Sequence, residues 1–151
     1  MIKTRVSTQI ARSPADVFAY LTDVTHFPLL YAGIVRESRP LGTGPLAEGS
    51  AFQIRGSFLG RPFEARLVVT AYAPDRQFCV ASNWGPLPFQ GCYELEPAGG
   101  GTLLTDRHSI NAGGFFALAG SLLVNRLKQQ AERNLAALKR LVEAELGASP
   151  G

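Results

Sequence analysis

Charge is scarce in this chain of 151 residues: Asp, Glu, Lys and Arg together make up 18%. Cysteine and histidine occur twice each, tryptophan and methionine once. Each shortage excludes something. Two cysteines cannot supply the disulfide framework of a small secreted scaffold. His26, Cys79, Cys92 and His108 lack the paired short spacings of a zinc site, so no metal is expected. The same spread argues against a Cys/His nucleophilic pair. No run of about 18 apolar residues is present, so no integral membrane segment is expected. The opening residues Met1-Ile2-Lys3-Thr4-Arg5-Val6 lack the apolar core of a secretory signal. The net charge of +3 is scattered, with no basic run longer than Lys139-Arg140, so no nucleic-acid partner is expected. There is no P-loop. Gly42-Thr43-Gly44 lacks the third glycine and the following helix of a dinucleotide fingerprint, so it reads as a turn and no cofactor is expected.

What is present is a core. Apolar residues make up 46%, nine of them Phe, which excludes disorder. A domain of this size buries roughly 68–70% of its unfolded surface. The expectation is one soluble, cytoplasmic domain over residues 1–147, with a flexible tail at 148–151.

The apolar residues change period along the chain. Val6, Thr8 and Ile10 alternate with Arg5, Ser7 and Gln9, the mark of a half-buried strand. Ser13-Pro14-Ala15-Asp16 is a helix start: Ser13 can cap, Pro14 suits the first turn and Asp16 complements the free N–H groups. Val17, Phe18 and Leu21 give that short helix its apolar stripe. A second short turn follows between Asp23 and Leu30, anchored by Phe27 and Leu30.

From Ile34 to Ala112 the pattern is strands separated by Gly and Pro. Phe52, Ile54, Gly56 and Phe58 alternate with Gln53, Arg55 and Ser57. Phe63, Ala65, Leu67 and Val69 alternate with Glu64, Arg66 and Thr70. A period of two with one polar face predicts an antiparallel sheet covered on one side. The last segment, Phe115 to Leu146, runs at helical spacing through Leu118, Leu122, Leu127, Ala131, Leu135, Leu138 and Val142. Gly147 is a natural stop. One long helix must cover the sheet. The fold class is therefore α+β: a curved antiparallel sheet of about seven strands, two short helices after the first strand, and one long C-terminal helix.

This order resembles the START-like superfamily, also called the helix-grip or Bet v 1-like fold, and within it the polyketide cyclase/dehydrase and lipid-transport branch. The resemblance is carried by the run from Ile10 through Ser13-Pro14-Ala15-Asp16-Val17-Phe18 to Asp23, then Val24-Thr25-His26-Phe27-Pro28. The late strand entered at Gly99-Gly100-Gly101-Thr102 and the closing helix from Leu135 to Leu146 complete it. Members often carry a Trp shortly after the second helix; this chain has Leu30 and Tyr31 there. The resemblance implies a cavity between sheet and long helix that admits a small hydrophobic molecule. The alternation nominates Phe52, Ile54, Phe63, Leu67, Val80, Trp84 and Tyr93 as its lining from the sheet, with Leu123 and Leu127 from the helix.

One strand carries candidate chemistry. In Thr102-Leu103-Leu104-Thr105-Asp106-Arg107-His108-Ser109-Ile110, Asp106 and His108 share parity with Leu104 and Ile110. If that apolar pair faces inward, the carboxylate and the imidazole do too, roughly 6.5–7 Å apart along the strand. A carboxylate there can raise the histidine pKa or fix its tautomer for proton transfer. An aldol cyclase or dehydratase needs such a base plus hydrogen-bond donors, for which Tyr93 and Ser82 are candidates. The sequence thus supports a carrier or sensor of a small hydrophobic molecule, a lipid or polyketide-like compound. The alternative is a cyclase, aromatase or dehydratase using His108 and Asp106. A homodimer through the sheet edge or helix is compatible with either.

The cysteines fall in one predicted hairpin. A turn at Gly85-Pro86 sets Cys79 opposite Cys92, Phe78 opposite Tyr93 and Ser82 opposite Phe89. In that register the two thiols sit together on the outer face, where a cytosolic chain keeps them reduced; a register one residue out separates them.

Overall fold

The computed structural model describes residues 2–58, 60–82, 88–111 and 120–147. Strand β1 (Ile2–Ile10) leads into helix α1 (Pro14–Leu21). A short 3-10 turn (Val24–His26) and helix α2 (Phe27–Leu30) follow. Six strands come next: β2 (Val35–Pro40), β3 (Ala51–Phe58), β4 (Arg61–Ala73), β5 (Gln77–Ser82), β6 (Phe89–Ala98) and β7 (Gly101–Ile110). Helix α3 (Gly120–Gly147) closes the chain with 28 residues, a length of roughly 42 Å. The turn predicted at Gly85-Pro86, the helical positions predicted from Phe115 up to Gly120 and the tail at 148–151 lie outside the described residues.

The seven strands form one antiparallel sheet in the order β1-β7-β6-β5-β4-β3-β2. Strands adjacent in sequence pair as hairpins, and β1 adds to β7. Register shifts interrupt the ladder between Val35 and Glu37 and between Val69 and Ala71. Extra residues at such points bend a strand and increase its twist, which curves the sheet toward the helix. Gly56 is required where β2 begins, because a Cβ there would overlap the Ile34 carbonyl oxygen.

Period-two patterning holds across the sheet. Phe52, Ile54, Ala65, Leu67, Val69, Phe78, Val80, Tyr93, Leu95 and Leu104 are buried on the covered face. The other face carries ion pairs such as Arg55 with Glu37 and Glu64, and Arg107 with Glu94. Helix α1 starts as its sequence dictates, with the Ser13 side chain accepting a bond from the Asp16 N–H at 3.2 Å.

Helix α3 packs Ala131, Leu135, Leu138 and Val142 against the sheet. Its later turns are fixed to the end of β1. Lys139 Nζ donates to the Gln9 carbonyl at 2.6 Å, and Glu143 accepts from the Ala11 N–H at 2.8 Å. Leu122, read above as part of the apolar stripe, is instead 66% exposed. It lies nine residues before Ala131, about two and a half turns, and so points away from the sheet.

The β5–β6 register pairs Cys79 with Cys92, Phe78 with Tyr93 and Ser82 with Phe89. Contrary to the expectation of reduced thiols, Cys79 and Cys92 are joined as a disulfide. Direct pairing brings their Cα atoms to 4.1 Å.

Candidate functional site

The cavity lies between the sheet and α3 and has a volume of about 160 Å³. Its walls come from β1, the α2–β2 segment, β3 to β7 and the first half of α3. Most of the lining is apolar: Phe27, Ile34, Val35, Ile54, Phe58, Phe63, Ala65, Leu67, Val80, Phe89, Ile110, Leu127 and Ala131. The polar lining is Thr4, Tyr31, His108, Gln130 and Asn134. Gln130 Nε2 donates to Asn134 Oδ1 at 2.9 Å, one turn apart on the helix.

Strand β7 supplies the ionisable pair. Its alternation turns Leu104, Asp106 and His108 to the covered face, while Arg107 is exposed. Asp106 lies opposite Val6 of β1 and Tyr93 of β6; His108 lies opposite Thr4 and Gly91. The Asp106 side chain has no solvent exposure, and His108 keeps 17%. His108 Nδ1 makes an ion-pair contact with Asp106 Oδ1. Neither carboxylate oxygen has a well-directed hydrogen bond among the described residues, so the imidazole is the main compensation for this buried charge. Burial disfavours a charged His108, but the adjacent carboxylate outweighs that effect and holds the imidazole pKa above its ordinary value.

A pair of phenols stands beside this couple. The hydroxyls of Tyr31 and Tyr93 are in hydrogen-bond contact. The Tyr93 ring meets His108 edge-on at 6.1 Å between centroids. Burial first, and the Asp106 charge second, hold the Tyr31 pKa well above its ordinary value. Tyr31 is therefore a neutral hydroxyl that can donate or accept. Phe27 packs against Tyr31 at 5.2 Å and against Phe52 at 5.3 Å, which sets the tyrosine under the sheet.

Of the residues nominated from sequence, Ile54, Phe63, Leu67, Val80, Leu127 and His108 line the cavity. Phe52, Tyr93 and Asp106 face inward but are buried beneath its wall. Ser82 is buried on the same face without lining it. Trp84 and the side chain of Leu123 lie outside the described residues. Among the lining residues not nominated are Tyr31, Ile34, Phe89, Gln130 and Asn134. Phe89 has the parity of Tyr93 and was recoverable; Tyr31 and Ile34 lie between elements, where alternation carries no signal. His26 is elsewhere: its ring stacks on Tyr20 at 3.9 Å, and Nδ1 lies 2.9 Å from the Tyr20 carbonyl oxygen. Among the described residues no three His, Cys, Asp or Glu side chains converge as a metal-binding group.

The curved sheet thus grips one long helix around an apolar cavity. Residues 1–143 match the model described as polyketide cyclase/dehydrase and lipid transport. The chain belongs to that family. No curated protein matches it. Among solved structures, TTHA0849 from Thermus thermophilus aligns with a TM-score of 0.80 at 16% identity, covering 98% of this chain and 99% of that one. The di-domain aromatase/cyclase StfQ of the steffimycin pathway aligns with a TM-score of 0.78 at 17% identity, covering 97% of this chain and 52% of StfQ. Ara h 8.0201 aligns with a TM-score of 0.73 at 14% identity, covering 94% and 97%. At such identities the structures establish a shared Bet v 1-like fold, and function has to be argued from the site. Within this family member, no described helix is long and apolar enough to cross a membrane.

Proposed function

We propose that this protein binds a small hydrophobic molecule in the sheet–helix cavity, as a carrier or sensor. The observation that carries the reading is the cavity itself. Protein interiors are ordinarily packed with few voids larger than a water molecule, yet here about 160 Å³ stays open, lined among the described residues by thirteen apolar and five polar ones. Filling the space with larger side chains would stabilise the fold, so an open cavity of this kind fits a ligand site. The family's lipid-transport description supports the same reading. Native mass spectrometry of protein purified from its own host tests it. The expected result is a reproducible mass increment lost on denaturation; a reproducibly empty protein overturns it.

A second reading is favoured by one specific observation. His108 faces the cavity with Asp106 behind it and Tyr31 nearby. An imidazole held by a carboxylate can accept a proton from an enolisable carbon, and a neutral phenol can donate to the developing oxyanion. That is the equipment of a cyclase or dehydratase, in keeping with the family's polyketide cyclase/dehydrase description; the StfQ neighbour is described as an aromatase/cyclase. His108→Phe separates the two readings. Ligand binding should survive, and any turnover of a polyketide-like substrate should be lost. Unchanged turnover removes His108 from the chemistry.

A further inference from the structure

The cavity's electrostatics narrow the ligand class, an inference that rests on the binding reading above. None of the fifteen Lys and Arg residues lines the cavity. The stretches outside the described residues, 59, 83–87, 112–119 and 148–151, contain no Lys, Arg or His side chain. Among the described residues, the one cavity-lining group that can carry positive charge is His108, and it is already in contact with the Asp106 carboxylate. With the histidine protonated the pair sums to zero; with it neutral the pair is negative. The remaining polar lining consists of hydroxyls and amides.

A carboxylate ligand would therefore enter an apolar space with no free cation among the described residues to meet it. An unpaired buried charge is strongly disfavoured, and a second anion beside Asp106 adds repulsion. A hydroxyl or carbonyl group meets the opposite situation. The Tyr31 hydroxyl, the His108 ring and the Gln130–Asn134 amides offer both donors and acceptors without a net charge to satisfy. Size acts in the same direction. An apolar cavity of about 150 Å³ holds a benzene ring, close to the volume here of about 160 Å³. Pockets for drug-sized ligands begin at roughly 300 Å³, and a long acyl chain needs more room than one ring.

We infer that the cavity selects uncharged, compact ring compounds bearing a hydroxyl or carbonyl group, and discriminates against carboxylates and long-chain lipids. This assigns a ligand class within a family whose description spans both polyketide and lipid chemistry.

The experiment is a binding comparison on the intact chain at neutral pH. The probes are para-propylphenol, para-propylbenzoate and palmitate, titrated by calorimetry and by NMR of the His108 ring. The phenol should bind at least roughly tenfold more tightly than either carboxylate, the scale set by leaving a buried charge without a partner. It should also move the His108 resonances. If the benzoate or palmitate binds as tightly as the phenol, the inference fails while ligand binding stands. Phenol binding that leaves His108 unmoved also overturns it. If none of the probes binds and host-purified protein is empty, the binding reading fails with it.

Discussion

Gly91 stands directly across from His108 in the β6–β7 pairing, and the imidazole occupies the space a side chain at position 91 would take. A Cβ built on Gly91 would lie 2.6 Å from His108 Nε2 and 2.8 Å from Cδ2. Real contacts of that kind do not come so close, so either the ring or the strand must move. The ring is held from its other side by Asp106. The glycine thus acts as a seat for the histidine, an indirect role in positioning it over the cavity.

Gly91→Ala should therefore cost roughly 1–3 kcal/mol, the usual range for forcing extra volume into a packed interior. Urea denaturation measures the loss. The mechanism is checked by a double-mutant cycle with His108→Ala, where the coupling should reach about 0.5–3 kcal/mol for groups in contact. Additive losses would show that the two residues do not share this space.

The second expectation concerns pH. Burial alone would depress the His108 pKa, but the Asp106 carboxylate holds it above the ordinary 6.5. A folded value above the unfolded one means the folded state binds the proton more tightly. The stability from this pair is fully present below the unfolded pKa and is lost as pH rises through the folded one. Tyr31 stays neutral across that range, because burial first and the Asp106 charge second hold its pKa well above the ordinary phenol value. Asp106→Asn removes the opposing charge and leaves the burial, so the histidine should titrate below 6.5 and the pH slope should reverse. NMR titration of the His108 ring reads this directly. An unmoved midpoint in Asp106→Asn would remove the carboxylate as the cause.

Much of this site was legible because β7 repeats every two residues. Leu104 and Ile110 fix the inward parity, and Asp106 and His108 follow with it. What parity does not encode is depth. Phe52 and Tyr93 share the inner face with Ile54 and Val80, yet the first two are packed beneath the wall and the second two form it. Which inward residue meets open space depends on sheet curvature and on how close α3 approaches, and both arise from contacts distant in sequence. Tyr31 illustrates the same limit. It follows a single helical turn, belongs to no strand, and reaches Tyr93 across 62 positions of chain. The partnership of Gly91 with His108 likewise needs the register, since glycine in a strand ordinarily signals only a bulge or a close approach.

The third expectation separates the cysteines from the cavity. The disulfide closes a loop between residues 13 positions apart. For a loop of about 15 residues, loss of chain entropy in the unfolded state contributes up to about 3 kcal/mol. Oxidised protein should show no free thiol by mass-resolved alkylation, and reduction should expose both. Reduction should lower the denaturation midpoint without changing ligand affinity, because neither cysteine lines the cavity. A loss of affinity on reduction would mean that the β5–β6 pairing shapes the site from behind.

The fourth concerns the two phenols. Tyr31 and Tyr93 satisfy each other's hydroxyls in a region where Tyr93 is 3% exposed. Removing one hydroxyl leaves the other without this partner, and an unsatisfied buried polar group costs about 1–3 kcal/mol. Removing both leaves two apolar rings of nearly the same shape, a change that can be close to neutral. Tyr31→Phe and Tyr93→Phe should each destabilise the fold, and the double variant should be less damaged than the sum of the two. Thermal or denaturant unfolding of the four proteins settles the arithmetic. Ligand binding adds a readout that stability alone cannot supply. Tyr31 lines the cavity and Tyr93 does not. A hydroxylated ligand should therefore lose more affinity with Tyr31→Phe than with Tyr93→Phe, even where the two variants are equally stable. Equal losses would place the ligand's polar group elsewhere, against His108 or the helix amides.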